Sequence, residues 1–183
     1  MSRAYKMRNP DGYYFISFAT VSWIDLFTRV IYKDIVLDSI RYCQKEKGLV
    51  LHAWCIMTNH VHLIVSRKGE AALSDIIRDL KKYTSKTLIT ALQNNIQESR
   101  KDLILYVFKS AGEYNPNNKT FQLWQQDNRP IEIYSNDVMD QKLNYIHSNP
   151  IIAGFVDTAE HYLYSSARDY AGEKGLLELE LMI

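Results

Sequence analysis

Cysteine is nearly missing from this 183-residue chain: only Cys43 and Cys55 occur, in no metal-binding spacing. That excludes a disulfide-stapled scaffold or a zinc ribbon and fits free, buried thiols in a reducing compartment. Proline and glycine are also scarce, at four and seven residues, which argues against long linkers and low-complexity segments. No window approaches the roughly 18 apolar residues of a membrane span. The opening residues, Met1 to Arg8, lack the apolar core of a signal peptide. These absences lead us to expect a cytoplasmic protein with no membrane partner. A dominant charge is lacking too, since the formal net charge is +1.

What is present is ordinary for a globular protein, with 46% hydrophobic and 23% charged residues. A chain of this length can bury roughly two-thirds of its unfolded surface, so we expect one domain over residues 1–183. The charge is unevenly spread. Arg3, Lys6 and Arg8 open the chain, Lys81, Lys82 and Lys86 cluster in its middle, and Glu173, Glu178 and Glu180 gather near its end. Two solvated faces of opposite sign account for this as well as a patch that follows phosphates does.

Aromatic and β-branched residues over 13–21 predict a first strand. Asp25 and Thr28 offer polar caps to an amphipathic helix over 29–47, which Gly48 should stop. Residues 49–57 read as a second strand, and Thr58-Asn59 as a turn into a third that begins at His60. A long helix follows through Leu73, Ile77, Leu80 and Leu88, with Tyr83 on its apolar face. Residues 94–120 read as an insertion, with a further helix near Leu103 to Val107 and a loop at 115–118. Pro130 to Tyr134 supplies a fourth strand, and a helix over 137–148 should end at Asn149-Pro150. The order strand, helix, strand, strand, helix, strand predicts an α+β fold of ferredoxin-like type. Its four-stranded antiparallel sheet carries helices on one face, with the first and third strands central.

His60 and His62 sit two apart on the third strand, so their imidazoles share one face. Such a pair can hold a metal ion, or can consist of half-buried, hydrogen-bonded rings. On the last helix, Met139, Leu143 and Ile146 form the apolar stripe, and Tyr145 and Asn149 fall together on one flank with Lys142 between them. Asn149 can be a third metal ligand through its amide oxygen, or simply a cap before Pro150. The chemistry that uses such a set is attack of a phenolate on a phosphodiester, with a metal polarising the phosphate. Tyr83, in the basic run Lys81-Lys82-Tyr83-Thr84, is the rival nucleophile.

His60-Val61-His62 followed by Tyr145-Ile146-His147-Ser148-Asn149-Pro150 resembles the signature of the single-tyrosine HUH transposases, most closely the REP-associated tyrosine transposases. Phe121 to Gln126, Asn149 to Val156 and Tyr164-Ser165-Ser166-Ala167 resemble further segments of that family. The resemblance implies an endonuclease and strand transferase acting on single-stranded DNA with hairpins or palindromes, through a covalent 5′-phosphotyrosine. It makes Tyr145 the nucleophile and His60, His62 and Asn149 the ligands of a magnesium or manganese ion. Lys81, Lys82 and Lys86, read from their clustering, and Lys142, which has no secure counterpart in the family, are the candidate DNA contacts. Two imidazoles by themselves favour zinc or a late transition metal.

Two other functions stay in view: a non-catalytic single-stranded nucleic-acid-binding module on the same fold, and a replication-initiator-like nicking enzyme. The first needs no aligned histidines, and the first strand lacks the basic-aromatic pattern of RNA-recognition domains. The alternating residues 177–181 read as an extra edge strand or a segment through which two copies pair into a homodimer.

Overall fold

The computed structural model describes residues 7–115, 120–126 and 128–182. Strand β1 (Tyr13–Ala19) leads through two short 3-10 turns, Val21–Trp23 and Leu26–Thr28, into helix α1 (Val30–Lys47). A hairpin of β2 (Leu49–Ile56) and β3 (His60–Arg67) follows, then α2 (Leu73–Asn94), α3 (Lys101–Glu113), the three-residue β4 (Ile131–Ile133), α4 (Asn136–Ile152) and the short α5 (Ala167–Tyr170). The sheet order is β2-β3-β1-β4 and every pairing is antiparallel, so β1 and β3 are the central pair as expected.

Alternation along the two central strands divides their side chains between two faces. Phe18 packs edge-on against Trp124, whose indole N–H donates to the Thr84 hydroxyl on α2 at 3.0 Å. The face with Ile16, Phe18, Val61, Leu63 and Val65 is therefore covered by α2 and by α1, which packs beside it. The buried residues Val36, Leu37, Ile40, Ile77, Leu80 and Leu88 of those helices complete the main core. Phe15 and His62 lie on the other face, where both rings meet Tyr145 of α4. Helices on one face thus describes the two crossover helices only. Following the last strand, α4 is free to fold back and cover the second face.

Several boundaries differ from the sequence pattern. Arg29 is the N-cap of α1, with no side-chain cap bond. Asp25 and Thr28 instead accept from Asn59 Nδ2 (3.0 Å) and Arg100 Nη2 (2.9 Å). Helix α4 starts at a true cap, Ser135 Oγ accepting from the Val138 N–H, but does not stop at Asn149-Pro150. It runs through the buried Pro150 to Ile152. Gly154, at φ +74°, ends it: the Gly154 N–H bonds the Ile151 carbonyl and the Phe155 N–H bonds that of Pro150. That is a Schellman turn, and it satisfies carbonyls that a stop at Asn149 would have left bare.

The β2 edge is closed by the chain itself. Ile56 N–H bonds the Tyr164 carbonyl, Ser166 N–H bonds that of Trp54, and Glu180 N–H bonds that of Leu51, each at 2.9 Å. A bulge between Leu51 and Ala53 accommodates His52, which is buried. Its Nδ1 donates to the Glu180 carbonyl at 2.8 Å, and its Nε2 accepts from the Ser66 hydroxyl at 2.8 Å. Residues 177–181 therefore dock on their own chain's edge strand rather than offering a free pairing segment. Residues 116–118 of the expected loop lie outside the described residues.

Candidate active site

The second face of the sheet gathers the candidate residues around a floor made by Phe15. Register sets Ser17 opposite His62 and Ala19 opposite His60, which places both imidazoles on the central pair. The His60 and His62 ring centroids lie 4.6 Å apart, and Tyr145 stands edge-on to His62 at 5.2 Å. Phe15 stacks on His62 at 5.5 Å and meets Tyr145 at 5.8 Å. Lys142, one turn before Tyr145, lies over the same Phe15 ring with its Nζ 5.2 Å from the centroid. Met139, Ile146 and Pro150 are the buried residues that seat α4 here, leaving Tyr145 about half exposed at 47%.

Asn149 follows Tyr145 by one helical turn and donates from Nδ2 to the Tyr145 carbonyl at 2.7 Å. That bond leaves its oxygen as the atom facing the histidines, and an acceptor there favours protonation of both rings. Burial acts the other way and dominates. It lowers the pKa of His60, against the smaller opposing effects of Asn149 and Asp25. For His62, burial and then the neighbouring His60 push the pKa down to about 3 despite Asn149. Both imidazoles are held neutral, the form that binds metals.

His60 has its ring orientation set. Asn59 Oδ1 accepts from its Nδ1 at 2.7 Å, while Asn59 Nδ2 bonds the Trp23 carbonyl and Asp25. With the proton on Nδ1, Nε2 keeps its lone pair for a ligand, the role an outer-shell partner plays at metal sites. His62 is 3% exposed, and neither of its ring nitrogens has a hydrogen-bond partner. Asn149 is near enough to act on its charge but does not meet it in hydrogen-bond geometry. An unmatched buried nitrogen costs about 1–3 kcal/mol, and a cation between His60, His62 and Asn149 would remove that cost. No three His, Cys, Asp or Glu side chains gather as a metal centre among the described residues. The donor set present is thus two imidazoles and one amide oxygen, with the remaining positions open to substrate and water.

The structure brings His60, His62, Tyr145, Asn149 and Lys142 together. It leaves Lys81, Lys82 and Lys86 on α2, which covers the opposite face. Lys81 is occupied there by the Gln125 carbonyl (2.9 Å) and Asn128 Oδ1 (2.5 Å); Lys82 and Lys86 are exposed. Tyr83 is exposed too, at 61%, rather than packed as its spacing suggested, and borders an open cleft of about 630 Å³ between α1 and α2. His147 anchors α4 to the segment beyond it, with Nε2 2.9 Å from the Ser166 hydroxyl, and burial pushes its pKa down to about 4. Phe15 and Asn59 are site residues that the sequence does not single out, and Trp23, which reads there like Trp54 and Trp124 as a core residue rather than a base-stacking platform, is exposed. Asn59 reads there only as a turn residue, and nothing short of the register assigns Phe15 to this face.

The Trp23 segment is strained. Ser22 and Trp23 both have φ of +54°, a region costly for side chains of this size, at about 1–3 kcal/mol each. A clamp built on a buried carboxylate ties down the chain just beyond it. Glu98, whose side chain is 1% exposed, takes Arg29 Nε at 2.8 Å and Arg100 Nε at 3.0 Å, and Arg100 Nη1 donates to the Asp25 carbonyl at 3.0 Å. Helix α3, inside the expected insertion, packs on the Val21–Trp23 turn.

Comparison with known proteins places the chain. The sequence profile of the IS200-like transposases matches residues 12–110, and the chain belongs to that family, whose members are enzymes acting on DNA. The match includes His60 and His62 and ends before α4. Among solved structures, the chain is similar to a REP-associated tyrosine transposase bound to a REP hairpin, at 17% identity and a TM-score of 0.66. The likeness covers 98% of this chain and 92% of that one, and it bears out the fold. A looser likeness, at 19% identity and a TM-score of 0.44, is to a protein of Deinococcus radiodurans R1 described as a transposase, covering 80% of this chain and 94% of that one. No curated protein matches. No helix among the described residues is long and apolar enough to cross a membrane.

Proposed function

We propose that the protein cleaves and rejoins hairpin-bearing single-stranded DNA, with Tyr145 as nucleophile and a magnesium or manganese ion held by His60, His62 and Asn149. The observation that carries this reading is the convergence of Tyr145 on His62 at 5.2 Å, beside an amide and two neutral imidazoles with nitrogens to spare. The hairpin substrate is taken from the fold relative, which was solved on such DNA. A bound divalent ion would polarise the phosphate and ease charge build-up on the leaving oxygen.

This chain's residues do the rest. The Tyr145 oxygen attacks the scissile phosphorus and gives up its proton; the bond from phosphorus to the 3′ oxygen breaks, and that oxygen takes up a proton. One phosphodiester becomes another, a 5′-phosphotyrosine with a free 3′-hydroxyl. No nucleotide is consumed, and a 3′-hydroxyl can reverse the step. Lys142, on the same face of α4 as Tyr145, meets the phosphate charge. Lys82 and Lys86 serve the backbone of a DNA segment that reaches the opposite face, while Lys81 holds the loop at Gln125 and Asn128.

Mixing the protein with end-labelled hairpin single strands and manganese should yield an adduct that survives denaturant, and Tyr145→Phe should yield none. An undiminished adduct in Tyr145→Phe would remove Tyr145 from the role of nucleophile.

A further inference from the structure

The chain has three tryptophans, and two of them are core residues: Trp54 is fully buried and Trp124 is 5% exposed. Trp23 differs, being 57% exposed. Scattered apolar side chains on a surface need no explanation, but this one is neither scattered nor relaxed. Its backbone and that of Ser22 lie in the left-handed region. The turn is tied down at both ends, by the Trp23 N–H to the Thr20 carbonyl (3.1 Å) and the Thr20 hydroxyl to the Ile24 carbonyl (2.8 Å). The Trp23 carbonyl accepts from Asn59 Nδ2 at 3.2 Å, the same amide that orients His60. The indole stands edge-on to the His60 imidazole, ring centroids 5.9 Å apart. A strained turn thus holds a broad, wet aromatic ring at the rim of the cleavage site.

We infer that Trp23 is a stacking platform for one nucleobase of the bound single strand, the base beside the phosphate held at His60, His62 and Asn149. The inference deepens the reading of the site as a single-strand cleavage centre and rests on it. A phosphate at His60 leaves its own sugar and base within one nucleotide's reach of the indole. Stacking uses the π face that every base has, so this subsite accepts any base and favours the purines, whose rings overlap the indole most. Its function is to hold the strand in register at the scissile bond, where a small misplacement slows in-line attack.

The other two tryptophans are buried, so the solvent-accessible part of the protein's emission comes from Trp23. Titrating the wild type with a hairpin-bearing single strand should quench that component and protect it from acrylamide. Trp23→Ala should weaken binding of the labelled strand by roughly tenfold, within the range of one lost stacking contact, and Trp23→Phe should recover most of it. A strand with an abasic sugar next to the cleavage point should bind the wild type as weakly as the intact strand binds Trp23→Ala, and should lose nothing further in that variant.

Unchanged emission on binding, or equal affinity of wild type and Trp23→Ala, would overturn the inference. So would an abasic penalty of the same size in both proteins, which marks Trp23 as merely structural. The abasic strand tests the unmodified protein, so a variant that fails to fold does not blunt the result. Quenching and the abasic effect without any covalent adduct would sink the cleavage reading and leave the base subsite standing. Absence of any strand binding by the wild type would sink both.

Discussion

At the scale of single residues, the site has more polar capacity than it has partners. His62 has two buried nitrogens and no partner, Asn149 spends its N–H on its own helix, and His60 spends its proton on Asn59. With its Nδ1 proton bonded to Asn59, His60 keeps a lone pair on Nε2, so Asn59 sets the tautomer of the site. Asn59→Ala should lower manganese affinity by about 10–100-fold, measured by titration calorimetry, with the fold unchanged by circular dichroism. Unaltered affinity would mean that the orientation of His60 is set elsewhere. The histidine pair and the Tyr145–Asn149 spacing are legible in the sequence because strand and helix periods place them. Asn59, Phe15 and Trp23 are not legible, because their roles depend on register, on an amide's three bonds and on a backbone strain that no pattern encodes.

At the scale of elements, the helix ends separate two kinds of glycine. Gly48 ends α1 at φ +74°, and a Cβ there would meet the Lys68 carbonyl oxygen at 2.1 Å; Gly154 ends α4 at the same φ with nothing within 4 Å. Gly154→Ala should therefore cost only the left-handed backbone penalty, about 1–2 kcal/mol, whereas Gly48→Ala should cost clearly more. Urea denaturation of both variants checks the order, and equal losses would show that the Lys68 carbonyl gives way easily. The proline rule fails at α4 for a physical reason: Pro150 falls in the last full turn, where it removes one hydrogen bond while its ring fills a buried position beside Ile146. The pattern of apolar residues does not reveal whether burial outweighs that loss.

The Glu98 clamp gives the connection between elements its own pH dependence. Burial alone would raise the carboxyl pKa, but the Arg100 and Arg29 bonds together outweigh it and hold the group below its usual range. A carboxylate depressed in the folded state adds stability above its unfolded pKa of about 4.3, and that stability is lost as pH falls through the native value. Thermal melts from pH 6 to pH 3 should thus show a decline that is shallower in Glu98→Gln, which is already less stable at pH 6 by about 1–3 kcal/mol. An identical decline in both would assign the acid sensitivity to other groups.

At the scale of the whole molecule, the fold class, strand order and central position of the histidine strand follow from sequence periodicity. The second helical layer does not, because the chain after β4 can cover either face of the sheet. Its choice is set by residues far away: the seat for α4 is Phe15 and the histidine strand, and its far anchor is His147 on Ser166. The closing of the β2 edge by residues 164–166 and by Glu180 is equally nonlocal. His52 reports on it. Burial lowers its pKa below the usual value, against the smaller effect of the Glu180 carbonyl. A histidine so depressed adds stability above its unfolded pKa of about 6.5, and that stability is lost as pH falls through the native value. Removing residues 176–183 should leave the Leu51 carbonyl and His52 open, lower the melting temperature and produce concentration-dependent self-association in size-exclusion chromatography. A truncated chain that stays monomeric and equally stable would show that the edge needs no cover.

The bond from Asn149 Nδ2 to the Tyr145 carbonyl has one more consequence. Tyr145 and Asn149 ride on a single turn of one helix, so any displacement of α4 as a body shifts both against the histidines by nearly the same amount. The spacing between phenol and amide is thus a property of the helix itself, independent of how α4 sits on the sheet.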